Sequence, residues 1–322
     1  RPAARSRELV GVALGLGAAL SWGFADYFAA VASRSLGALR VVLGFHLAAL
    51  VPLTALALAT DALARVSLTE LAVLGVVGAV GWLSYLAFYG ALAIGPISVL
   101  SPIVSGYAAV AVLLSVAVEG SRLSAPQALA VAITILGAML ACADPRQIAR
   151  ARLGRRSALG FLLALCAMAL LGAFVFGVSY YRWRIGWLGP IFLARAFTTV
   201  LLVVHVLAGG ARRSRPELGG TGARGHEVAV AEALEDPRSD GGRRLRLVGI
   251  MVLLGLLDTG GYVCFNLGIG HAPTAIVAAA SAPYALVPVA MGVSVLRERP
   301  SGAQWMGVGC VIAGVAVLGA VA

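Results

Sequence analysis

The sequence predicts an all-α integral membrane protein with ten transmembrane helices arranged as two inverted five-helix repeats. Three observations carry this. Of the 322 residues, 60% are hydrophobic and 12% charged, where soluble domains carry about 25% charged residues. The apolar residues lie in runs of about the 20 residues needed to cross a bilayer core. Finally, the stretch GWLSYLAFYGALAIGPISVLSP (81–102) returns as DTGGYVCFNLGIGHAPTAIVAA (258–279). At one constant offset it sets Tyr85 on Tyr262, Phe88 on Phe265 and Pro96 on Pro273.

In chain order the apolar runs are 9–32, 38–59, 71–93, 97–118, 126–143, 158–180, 187–208, 247–269, 274–296 and 303–321, taken by length. The first is too long for a signal-peptide core. Gly95-Pro96 and Ala272-Pro273 mark short turns after the third and eighth runs. Proline suits a helix start, where its missing N–H has no partner to lose.

The repeat register continues through Tyr107 on Tyr284, Arg122 on Arg299, Ser124 on Ser301, Gln127 on Gln304 and Gly137 on Gly314. The first two runs of each half superpose at a different offset, with Gly11 on Gly160, Gly23 on Gly172 and Gly37 on Gly186. The segment 211–246, rich in Gly, Arg and acids, absorbs the difference and reads as a flexible insert. The repeats are therefore 1–143 and 158–322. GTGARG at 220–225 matches the dinucleotide fingerprint in form, but no strand precedes it and no helix follows it, as phosphate binding requires. Five crossings per repeat oblige the two copies to span the membrane in opposite senses, a recurrent plan of secondary transporters.

The formal charge of +11 comes from Arg without Lys, clustered between apolar runs. Arg at membrane ends meets cytoplasmic loops and anionic headgroups, which makes the lipid bilayer the partner and excludes nucleic acid. Arg146, Arg150, Arg152, Arg155 and Arg156, with the cluster at 212–246, place those loops in the cytoplasm. Arg1, Arg5 and Arg7 argue for the opposite orientation. Cys142, Cys166, Cys264 and Cys310 sit in apolar runs without paired or metal-like spacing and read as small buried hydrophobes.

Asp26 and Asp258 are the strongest candidates for chemistry. An acid deep in a span costs roughly 2.5–3.5 kcal/mol on insertion scales, so it faces protein or a wet cavity. There it carries a proton, anchors a substrate amine or pairs with Arg195 to fix packing. Arg195 can equally meet a substrate carboxylate with its planar fork. His46 titrates near physiological pH when unperturbed, or serves as a packing residue. Trp22, Tyr85, Tyr89, Tyr107, Tyr262 and Tyr284 are candidates to line a cavity for an amphiphilic solute. The pairs Tyr85/Tyr262 and Tyr107/Tyr284 lead, because a site between repeats draws on both members.

The duplicated unit resembles the drug/metabolite transporter superfamily, specifically its ten-helix proteins with paired EamA domains. The resemblance rests on SWGFADYF (21–28), YGALAIGPISVLSPI (89–103), RLSAPQ (122–127), NLGIGHAPTAI (266–276) and LRERPSGAQWMGVGCVIAGV (296–315). It covers the chain outside 211–246 and adds Asn266 to the expected substrate-binding residues. Relatives often carry an acid before the fifth span of a repeat, which Glu298 fits and Ser121 does not. They also carry Arg in the second span, which Arg195 fits and His46 replaces.

The resemblance implies a secondary transporter of small metabolites, amino acids or amphiphiles in the bacterial inner membrane. Export, with proton coupling through Asp26 and Asp258, is the expected mode, and no cofactor, metal or catalytic residue is expected. The alternative is an intramembrane lipid-modifying enzyme, whose chemistry needs a metal-binding acid cluster or a nucleophile–base pair. Substrate identity and oligomeric state are left open.

Overall fold

The computed structural model describes residues 2–64, 66–94, 103–142, 155–209, 240–287, 290–291 and 301–321, and these contain helices and no strand. In chain order the helices are α1 (Pro2–Leu36), α2 (Ala38–Ala59), α3 (Leu68–Ile94), α4 (Tyr107–Val118) and α5 (Ala125–Cys142). The second half has α6 (Arg155–Tyr180), α7 (Leu188–Leu207), α8 (Asp240–Gly268), α9 (Thr274–Ser281) and α10 (Gly302–Val321). A one-turn helix (Arg182–Ile185) precedes α7, and a 3-10 turn (Ala282–Ala285) follows α9. Among the described residues, seven helices are long and apolar enough to cross a membrane. Shorter apolar helices cover Ile103–Val118, Ala125–Ala141 and Thr274–Tyr284. The Gly95-Pro96 turn, Glu298 and the GTGARG stretch lie outside the described residues, whereas the end of the expected insert, from Asp240, is already helical.

Local chemistry sets the element ends. Before α5, the Ser124 N–H donates to Gln127 Oε1 at 2.9 Å; before α10, the Ser301 N–H donates to Gln304 Oε1 at 2.8 Å. These are capping boxes at matched positions, and Ser67 with Glu70 forms another before α3. Gly37 and Gly186 hold φ of 82° and 81° at the turns before α2 and α7, a conformation other residues enter only with strain.

The fourth and ninth runs are broken at equivalent places. Gly106 forms a turn, with its N–H donating to the Ile103 carbonyl at 3.0 Å. Its counterpart, Pro283, lacks an N–H and sits in the 3-10 turn. Tyr107 begins the helix after its break, and Tyr284 lies within the 3-10 turn, directly after Pro283.

Packing between the halves comes in matched pairs. Helix α1 packs on α8 as α6 packs on α3, α9 packs on α1 as α4 packs on α6, and α5 packs on α10. The glycines show the correspondence atom by atom. A Cβ on Gly137 would meet the Gly307 carbonyl and the Val311 nitrogen, both at 2.9 Å; a Cβ on Gly314 would meet Ala130 O and Thr134 N, also at 2.9 Å. Likewise Gly78 abuts Ala194 O and Thr198 N, and Gly255 abuts Phe45 O and Ala49 N. Without a hydrophobic drive between helices in lipid, such backbone approach supplies the contact.

One end of the bundle gathers the start of α1, the ends of α4 and α8 and the start of α9. Arg7 donates to the Gly270 carbonyl there at 3.4 Å, and Thr274 donates to Glu119 at 3.2 Å. Cys264 and Cys310 are partly buried, but Cys166 faces outward, contrary to the expectation for a buried hydrophobe. Its face of α6 also carries exposed Leu162 and Leu159, so a small apolar side chain is suited to lipid there.

Candidate functional site

Two openings into the bundle stand out among the described residues. The larger, ≈ 560 Å³, lies at the Arg7 end among Glu119, Ser121, Trp183, Arg184, His271 and Thr274. Its carboxylate is already satisfied, since Glu119 accepts from Ser115 at 2.8 Å and from Thr274. The smaller, ≈ 90 Å³, lies between the two halves. We place the candidate site there, because equivalent residues of both halves face it and one carboxylate within it has no partner among the described residues.

The fold brings Trp22, Asp26, Tyr85, Tyr89, Tyr107, Asp258, Tyr262 and Tyr284 to the wall of this cavity. Helix α1 reaches it through close contact with α8. Ser21 Oγ donates to the Leu257 carbonyl at 2.6 Å, and Trp22 Nε1 donates to the Asp258 carbonyl at 3.1 Å. Gly261 lies directly beneath the Trp22 indole, and a Cβ on Gly260 would stand 3.0 Å from Ser21 Oγ. The Gly260-Gly261 pair therefore admits α1.

The aromatic rings close the inner end. Trp22 meets Tyr262 edge-on at 5.0 Å and Tyr107 at 6.4 Å, and Tyr107 meets Tyr284 at 5.5 Å. The Tyr107 hydroxyl shares a 3.3 Å hydrogen bond with Ser281, so each ring has a fixed edge or polar tip.

Charge is arranged unevenly. Arg195, 3% exposed, forms an ion pair with Asp258 and lies over the Tyr262 ring at 5.5 Å. Its Nη1 has no hydrogen-bond acceptor among the described residues. Asp26 is exposed to the cavity.

Arg195, His46 and Asn266 lie behind the wall and do not line it. His46 is buried, its Nδ1 donating to the Val42 carbonyl at 2.9 Å and its ring edge-on to Tyr85 at 5.0 Å. Asn266 Nδ2 donates to the Tyr262 carbonyl at 3.0 Å, leaving a buried Oδ1 without a partner among the described residues. Phe45, Phe88, Leu171 and Val175 also line the cavity; Phe88 stands in the sequence only as the repeat partner of Phe265, and the other three are not distinguishable there from ordinary apolar residues. The overlooked signal was Gly106 and Pro283, two helix breakers at matched positions.

A bundle with seven helices long and apolar enough to cross a membrane among the described residues, and an aromatic and acidic cavity between its halves, fits the class of polytopic membrane proteins. The sequence pattern that defines the EamA-like transporter family matches residues 9–143 and 233–320. The chain belongs to that family, and so to the membrane transporters of the drug/metabolite superfamily. A comparison with curated proteins found no match. A crystal structure bearing only the description "protein" aligns over 95% of this chain and 95% of its own, with a TM-score of 0.65 and 18% identity. At that identity the likeness shows the fold alone.

Proposed function

We propose that the protein is a secondary transporter that exports small metabolites, amino acids or amphiphiles across the bacterial inner membrane, coupled to protons. Its working parts are two five-helix repeats, 1–143 and 158–322, inverted about an axis in the membrane plane. The observation that carries this is the cavity wall, where Tyr85 faces in with Tyr262, and Tyr107 with Tyr284. A solute site on the axis relating two repeats sees the same rings whichever half rocks, which suits alternating access around a fixed site. The breaks at Gly106 and Pro283 sit where transporters of this plan interrupt their helices.

Asp26 and Asp258 supply the proton step in this reading: Asp26 faces the cavity and alternates between a neutral and a charged form as solvent access changes, and Asp258 takes up a proton only as its pair with Arg195 opens. An intramembrane lipid-modifying enzyme draws no support from family membership.

Flux into vesicles reconstituted with the pure protein tests the proposal. A pH gradient drives solute accumulation in the native protein, and Asp26→Asn or Asp258→Asn removes the drive. Equal accumulation with and without the gradient, in all three proteins, refutes coupling through these acids.

A further inference from the structure

The cavity is two-fold in shape and one-sided in charge. Trp22 and Asp26 on α1 have Leu171 and Val175 as their counterparts on α6, by the offset that sets Gly23 on Gly172. All four line the cavity. The correspondence holds in space, because a Cβ on Gly23 would meet the Tyr284 carbonyl and Val287, and one on Gly172 would meet the Tyr107 carbonyl and Val110. One wall therefore presents an acid and an indole where the other presents two aliphatic side chains.

The acids are also unequal. Asp258 is neutralised by Arg195. Asp26 faces the cavity, and no cation or hydrogen-bond donor among the described residues reaches it. A carboxylate in such surroundings is stabilised by a cation and is costly alone. Arg195 does not line the cavity, so an incoming carboxylate would find no free cation to meet it among the described residues.

We infer that the cavity binds an organic monocation with an apolar body, its charge at Asp26 and its body along Leu171 and Val175. This rests on reading the cavity as a solute site, and it adds the ligand's charge and orientation. The rings of Trp22 and Tyr107 reinforce the choice, because aromatic faces attract a cation and disfavour an anion. When Asp26 is ionised a neutral ligand leaves its charge uncompensated, so selection against such a ligand is built into the wall in that state.

The test is direct binding to the purified full-length protein by calorimetry at neutral pH, with three probes of one shape: benzylammonium, benzyl alcohol and benzoate. Benzylammonium binds, the other two bind at least about tenfold more weakly, and Asp26→Asn removes that preference. Asp26→Glu, which keeps the charge, retains it and guards against a folding defect in the Asn variant. Adding Val175→Asp to Asp26→Asn moves the carboxylate across the axis and restores cation preference. Benzoate or benzyl alcohol binding as tightly as benzylammonium overturns the inference, and so does an undiminished preference in Asp26→Asn. Absence of binding by all three probes overturns it as well. Vesicle flux separates this from the transport reading: flux of a non-cationic solute with no cation preference sinks only the inference. Benzylammonium bound as described but never moved sinks only transport.

Discussion

Tyr107 and Tyr284 meet with ring centroids 5.5 Å apart, each the residue next to the helix breaker of its own run, Gly106 or Pro283. They occupy matched positions in the two halves, and both line the cavity. Two helices that stop being regular at one shared level leave backbone and ring edges free to rearrange. A conformational exchange between the halves would pivot there.

Restoring helical continuity should slow that exchange. Pro283→Ala returns an N–H to the broken run. Solute turnover in vesicles is expected to drop several-fold while calorimetric affinity stays within about twofold, less than about 0.4 kcal/mol. A loss of affinity with turnover intact would point to a role in binding instead.

The matched glycines predict matched costs. Gly137→Ala and Gly314→Ala each force a side chain against backbone of the facing helix. Overpacking of this kind costs about 1–3 kcal/mol. Thermal unfolding in detergent should show losses of similar size for the two variants, and a large loss in only one would contradict the equivalence of α5 and α10.

Arg195 and Asp258 should behave as a unit. Removing one partner leaves a buried charge uncompensated, which costs about 3 kcal/mol or more, whereas removing both costs less than the two single losses together. A double-mutant cycle of Arg195→Gln and Asp258→Asn, read by chemical or thermal unfolding, is expected to give a clear coupling energy. Simple additivity would mean that the pair does not hold α7 to α8.

Much of this was legible in the sequence. The repeated register, the capping boxes and the aromatic pairs depend on residue spacing along one helix, and spacing survives folding. The fate of Arg195, His46 and Asn266 was not legible. Whether a polar side chain reaches the cavity or turns behind its wall depends on the rotation of its helix, which neighbours set. The sequence offers Arg195 as a partner for an internal acid, but the two come from different helices, so no local pattern singles out Asp258 over Asp26. Gly106 and Pro283 escaped notice because a search for identical residues does not align two chemically different helix breakers.

The same carboxylate that selects a cation makes binding pH-dependent. Protonation neutralises Asp26, so benzylammonium affinity falls as pH is lowered and the dependence flattens in Asp26→Asn. The other charged groups nearest are Asp258 and Arg195, already paired, with His46 behind the wall hydrogen-bonded to Val42. A slope unchanged in Asp26→Asn would transfer the effect to one of them.

Opposed orientation of the halves is the claim on which alternating access depends, and the side on which equivalent positions emerge tests it most directly. Ala38 and Trp187 open α2 and α7 at matched positions beside Gly37 and Gly186. With Cys142, Cys166, Cys264 and Cys310 replaced, single cysteines at Ala38 and Trp187 are to be labelled with a membrane-impermeant maleimide in intact cells and in inverted vesicles. The account predicts labelling of one in cells and of the other in inverted vesicles; labelling of both from the same side would contradict it.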